Sequence, residues 1–168
     1  MIFSSINIFL EIYLYIQLKY LYFCVRMGTS DSRFSQCFYF SSNALARKVE
    51  KLAQESWKPV GLSPSHGYLL MTVVDEPGIQ PGALAEHLQL QPSTITRLIE
   101  KLEDKKLVVR TTEGKITNVY PTPKAKEIYS KMKACIDHFH KAHSVLMGKE
   151  EGHKLIQTMN KISDKLTD

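Results

Sequence analysis

QPGALAEHLQLQPSTITRLIEKLEDKKLVVRTTEGKITNVY, residues 80–120, is the stretch whose reading decides the fold. In 80–88 the apolar residues Leu84, Ala85 and Leu88 share one helical face. From residue 92, Ile95, Leu98, Ile99 and Leu102 recur at i, i+3, i+4 and i+7, the spacing of a single buried stripe. Only residues 89–91 separate the two segments, so the helices must cross sharply and share one small core. That predicts a helix-turn-helix, whose second helix can enter a DNA major groove. Ser93, Thr94, Thr96 and Arg97 occupy the first two turns of that helix, where base edges and phosphates are contacted, and Lys101 and Lys105 follow on the exposed side. Beyond it, 107–111 and 118–120 are β-prone runs around Thr112-Glu113-Gly114-Lys115, predicting a hairpin with glycine at its tip. The fold class expected is therefore mainly α with a small β-hairpin wing, a winged helix-turn-helix. The bland alternative is a winged helix that mediates only protein contacts.

Three strings within this stretch, Leu84-Ala85-x-x-Leu88, Ser93-Thr94-x-Thr96-Arg97-Leu98 and Leu107-Val108-x-Arg110, resemble the pattern of the MarR family of transcriptional regulators. The resemblance runs from about residue 34 to the C-terminus and is most specific over 93–110. It implies a cytoplasmic homodimeric regulator, expected to be a repressor, that binds a palindromic double-stranded DNA operator. It also implies a domain over 32–168, with the winged helix at about 62–122 and N- and C-terminal dimerisation helices at about 32–57 and 123–167. The expected DNA contacts are Ser93, Thr94, Thr96, Arg97, Lys101, Arg110 and Lys115. Wings of this family usually carry Asp-x-Arg at the tip. Here the hairpin is shorter and offers Glu113-Gly114-Lys115, so Lys115 would take the groove-entering role with a point charge less suited to a narrow groove than a guanidinium.

Composition agrees with an anionic partner. The 168 residues carry a formal charge of +5 and a pI near 9.0. Residues 97–115 hold six basic groups against four acidic ones, a modest excess that suits a dimer whose phosphate contacts add. Cys24, Cys37 and Cys135 are too widely spaced for a disulfide framework or a CxxC pair. No phosphate loop, nucleophile elbow or paired carboxylate appears, and Cys37 and His66 lie on different predicted helices with nothing to orient a base. Neither an enzyme nor a cofactor is expected.

Residues 1–31 form an apolar extension. Glu11, Gln17 and Lys19 interrupt it, and a charge near a bilayer centre costs about 2.5–3.5 kcal/mol. A membrane tether is the sharper reading. The preferred one starts the native protein at Met27, leaving 1–26 as upstream sequence.

A first helix is expected over 32–56, from the rhythm of Phe34, Phe38, Leu45, Val49 and Leu52, with more apolar surface than its own domain can cover. In MarR-like proteins this helix joins the two C-terminal helices in the dimer interface. Ser63-Pro64 reads as an N-cap followed by proline at the first position of a central helix over 65–74. C-terminal helices are expected from 124 to about 147, with the stripe Ile128, Met132, Cys135, Ile136 and Phe139, and then over Leu155–Leu166. Neither has a core to cover except its partner helix, so a dimer would bury them. A small lipophilic or aromatic effector, held between these helices and the winged helix, is one expected signal.

Oxidation of Cys37 is the other. Ser35-Gln36-Cys37-Phe38 resembles the peroxide-sensing branch of the family, and a helix N-terminus favours the thiolate that peroxide oxidises to a sulfenic acid. Where that branch has tyrosines, this chain has Lys51 and Ser63, which favours a buried, inert cysteine. The His-rich string 135–143 pairs Cys135 with His138 and His140 with His143, but in different directions, so no metal site is assigned. Intact mass of the natively expressed protein is expected to correspond to a start at Met27; a mass that includes 1–26 overturns that start.

Overall fold

The computed structural model describes residues 32–166. The expectations for 1–31, the membrane tether included, lie outside the described residues, within which no helix is long and apolar enough to cross a membrane. The elements are helices α1 (Phe38–Trp57), α2 (Pro64–Asp75), α3 (Pro81–Leu88) and α4 (Pro92–Asp104). They are followed by strands β1 (Val108–Glu113) and β2 (Ile116–Pro121) and by helices α5 (Pro123–Met147) and α6 (Lys149–Leu166). The chain divides into two units, up to Lys48 and from Val49 onward.

In the first unit, α1 starts at Phe38 and not near Ser32 as its periodicity suggests. Residues 32–37 close successive turns instead, with the amides of Ser35 and Cys37 bonded to the carbonyls of Ser32 and Phe34, both at 2.9 Å. The Ser41 hydroxyl donates to the Ser35 carbonyl at 2.8 Å. Serine hydroxyls compete with the helix for such carbonyls, which is why a serine-rich entry delays it.

The second unit is built on Trp57, the single tryptophan of the chain, which is fully buried at the end of α1. Its ring lies against the backbone of α2, where a Cβ on Gly67 would come within 2.0 Å of it. Leu69, Leu70 and Val73 of α2, Leu84 of α3, and Ile95, Ile99 and Leu102 of α4 complete a contiguous core. Ser63 occupies the N-cap position of α2 with Pro64 behind it, but its hydroxyl makes no cap bond. Three residues join α3 to α4, as the spacing demands. Gln89 adopts the left-handed conformation (φ 51°), and the amides of Gln89 and Leu90 return to the carbonyls of Glu86 and Ala85.

The wing strands run further than the β-prone runs imply. Pairing continues to Glu113–Ile116, leaving only Gly114 and Lys115 as the loop. Gly114 at φ +61° supplies the positive φ such a two-residue turn needs. Ile79 adds a short third pairing to Val119, with hydrogen bonds of 2.8 and 3.1 Å through Gly78 and Ile79.

One expectation is corrected. The helix after the wing does have a core to cover: Ala125, Met132 and Cys135 of α5 are buried with the winged-helix core. Tyr129 also donates a hydrogen bond to Asp75 at the end of α2. The apolar stripe that suggests a free-standing dimer helix serves this inner contact along the first half of α5. Beyond it, Val145 and Leu146 are strongly exposed.

Gly67→Ala should drive a methyl into the buried Trp57 ring. Overpacking of about 2–3 kcal/mol, less a helix-propensity gain of about 1 kcal/mol, leaves the variant less stable in urea melts. Gly82→Ala in α3, with open space around its Cβ, should instead gain up to about 1 kcal/mol.

Candidate nucleic-acid interface

Helix α4 is locked by its aliphatic side, with Ile95 and Leu102 at 0% exposure and Ile99 at 1%. A residue turns about 100° per step, so burying this arc necessarily presents Ser93, Thr94, Thr96, Arg97 and Lys101 outward, and all five are exposed. The Thr96 hydroxyl donates back to the Pro92 carbonyl at 3.1 Å, leaving its lone pairs and methyl as the outward groups. Pro92 stands at the first helical position, and the Gln91 side chain makes no cap bond. No side chain caps this first turn, in which Pro92 has no N–H and the amides of Thr94 and Ile95 bond the Gln91 carbonyl at 2.9 and 3.1 Å.

The C-terminal end of α4 is clamped by groups that sequence inspection passed over. Lys106 sits at φ 59°. Its amide and that of Leu107 close back on Glu103 and Leu102 at 2.7 and 2.9 Å. The Thr122 hydroxyl donates to the Lys106 carbonyl at 2.9 Å, and the Lys124 ammonium donates to the Lys105 carbonyl at 3.0 Å. A cation there also suits the negative end of the helix dipole. Neither residue has a sequence signature for this role, because each contact spans a strand pair.

The two wing residues fare differently. Lys115 is exposed at the hairpin tip. Arg110 is drawn into an ion pair with Glu103 at 2.5 Å, so its guanidinium braces β1 against α4. About a third of each side chain is exposed, and a pair of that kind contributes about 0–1 kcal/mol. It sets position more than stability.

Behind α4, the His66 Nδ1 lies 2.6 Å from the Ser63 hydroxyl, and its buried Nε2 has no hydrogen-bond partner. Burial, and then the charges of Lys101 and Lys105, hold its pKa below the ordinary 6.5. Cys37 is exposed, not buried as the missing tyrosines suggest. It precedes the first residue of α1, where its neighbours are the turns of the N-terminal unit. The His-rich segment splits as its spacing implies. Cys135 and His138 line a cavity of about 280 Å³ with Ser56 and Lys131; His140 and His143 line another. Among the described residues no three His, Cys, Asp or Glu side chains are grouped to hold a metal ion.

The family model described as the MarR family matches residues 60–115, from the end of α1 to the wing tip. Over these residues the chain is similar to MarR-family winged helix-turn-helix proteins. It is similar to the HTH-type transcriptional repressor MdtR of Bacillus subtilis (strain 168), 28% identical over 89 residues, which are 53% of this chain and 57% of the repressor. The chain thus spans little more than half the length of that relative. Among solved structures, the transcriptional repressor CouR bound to p-coumaroyl-CoA superposes with a TM-score of 0.71 at 18% identity, over 80% of this chain and 96% of that one. The S. aureus MepR–DNA complex gives a TM-score of 0.67 at 16% identity, over 77% and 98%. At such identities the likeness establishes the MarR-type fold, including the order of wing and flanking helices.

His66 makes the MarR-type core pH-sensitive. Its folded pKa is lowered, so the unfolded chain binds more protons as pH falls below 6.5. Stability contributed by the neutral ring is full above that value and is lost as pH falls toward the folded pKa. Urea unfolding between pH 7 and pH 5 should show a shallower decline in His66→Asn than in the parent chain.

Proposed function

We propose that this chain acts in the cytoplasm as a homodimeric, sequence-specific DNA-binding transcriptional regulator, and specifically as a repressor. The observation that carries this reading is the outward presentation of hydroxyls and Arg97 on the first turns of a helix whose other side is locked. MepR, of the same fold, has been solved with DNA. The direct contacts fall to Ser93, Thr94, Thr96 and Arg97, with Lys101 and Lys115 on phosphate or groove. Arg110 contributes by holding the wing, and reaches phosphate only if it leaves Glu103.

The domain reads as a winged helix at about 62–122 between dimerisation helices. Unburied apolar rows support the dimer: Phe38, Tyr39 and Leu45 on α1, Val145 and Leu146 on α5, and Leu155, Met159, Ile162 and Leu166 on α6. A second copy would cover them and set two α4 helices on successive major grooves, about 34–36 Å apart. The cavity between the end of α1 and α5, lined by Ser56, Pro59, Cys135 and His138, suits a small aromatic or lipophilic effector. Such a ligand acts only through its differential affinity for the DNA-competent dimer. The exposure of Cys37 favours a second signal, its oxidation by peroxide to the sulfenic acid. A peroxide titration of operator binding, with Cys37→Ser as the resistant control, tests that signal.

An operator is obtained by selecting bound fragments from random duplexes. On it, Arg97→Ala should cost about 1–3 kcal/mol and relax one base position. Lys115→Ala should weaken all sequences alike and flatten the salt dependence. Wild-type binding by both variants, or indifference of the protein to duplex DNA at low salt, overturns the reading.

A further inference from the structure

We infer that the cleft between the C-terminal part of α5 and the first half of α6 binds a small organic anion with a carboxylate or phosphate head. The cleft holds about 760 Å³, with His140, His143, Lys149, Glu150, His153 and Lys154 in its lining. That volume falls within the range of small-molecule sites, about 300–1,000 Å³. Two ammonium groups share the lining with one carboxylate, so its balance of formal charge is positive.

Two of the imidazoles are oriented. The Phe139 carbonyl lies 3.2 Å from the His143 Nδ1. A carbonyl only accepts, so the His143 Nδ1 carries the proton. Across the cleft, the Gln157 amide lies 3.0 Å from the His153 Nε2. With the amide nitrogen donating, the His153 Nδ1 is left as an N–H donor. A transition-metal ion is the competing occupant of any histidine cluster. It fits less well, because Lys149 and Lys154 share the lining and no three donors are grouped to hold an ion among the described residues.

A second copy need not close the cleft. At 100° per residue, His153 and Gln157 lie on the side of α6 away from Leu155, Met159, Ile162 and Leu166, the exposed apolar row, with Lys154 on its flank. Pairing along that row leaves the histidine side open. Anion binding here belongs to the protein alone and stands whatever the DNA reading.

The test is calorimetric titration of the full chain with benzoate, phenyl phosphate and the neutral benzamide, with histidine ring signals followed by NMR. At least one of the two anions should bind about tenfold or more tightly than benzamide, as a charge-assisted contact implies, and should move the signals of His140, His143 and His153. Lys149→Gln with Lys154→Gln, both exposed, should weaken that anion about tenfold while leaving the thermal melt unchanged. His140→Gln, also exposed, should weaken it too. Equal binding of benzamide, an unaffected double variant, or histidine signals that move with Zn²⁺ and with neither anion would each overturn the proposal.

Discussion

Everything in the winged helix depends on the burial of one aliphatic arc of α4. Removing Ile95, Leu98, Ile99 and Leu102 from water contributes about 1.5–3 kcal/mol each, a sum comparable with the whole net stability of a small domain, about 5–15 kcal/mol. Rotating α4 about its axis would forfeit that contribution, so the rotation is not available. Its polar arc points outward because the other arc cannot. The exposed hydroxyls and Arg97 are thus a consequence of core packing on α2 and α3, and that packing rests in turn on Trp57 lying against the glycine of α2.

Burial fixes the rotation of α4 but not where its ends sit. The N-terminal end is set by the left-handed Gln89 and the proline that follows the turn. The C-terminal end is held by Thr122 and Lys124, which belong to the start of α5. Glu103 and Arg110 add a link to the wing. These contacts are individually weak, but together they tie the orientation of α4 to the wing on one side and to α5 on the other.

Helix α5 therefore has two characters along its length. Its first half is core, through Ala125, Met132 and Cys135, and is bonded to α2 through Tyr129 and Asp75. Its last turns expose Val145 and Leu146 beside the break at Gly148. A helix of 25 residues spans about 37 Å at 1.5 Å per residue. Lys124, at its near end, bonds the Lys105 carbonyl at the end of α4.

Local periodicity was enough to read α2, α3, α4 and the three-residue turn, because each of those signals lies within a few residues of chain. The exposed set Ser93, Thr94, Thr96, Arg97 and Lys101 followed from the same stripe. What the chain order could not reveal were pairings between distant residues: Arg110 turned to Glu103, Lys124 to Lys105, Trp57 to Gly67, and Ile79 to Val119. The start of α1 at Phe38 was likewise hidden, since apolar spacing does not register serine hydroxyls competing for carbonyls. The amphipathic stripe of α5 was legible, but not whether a neighbouring chain or its own domain would cover it. By itself the sequence determined the elements and their apolar faces, through spacing that any single helix or strand obeys. Only the tertiary structure decided which polar groups those faces leave free, because that depends on what each side chain meets across the fold.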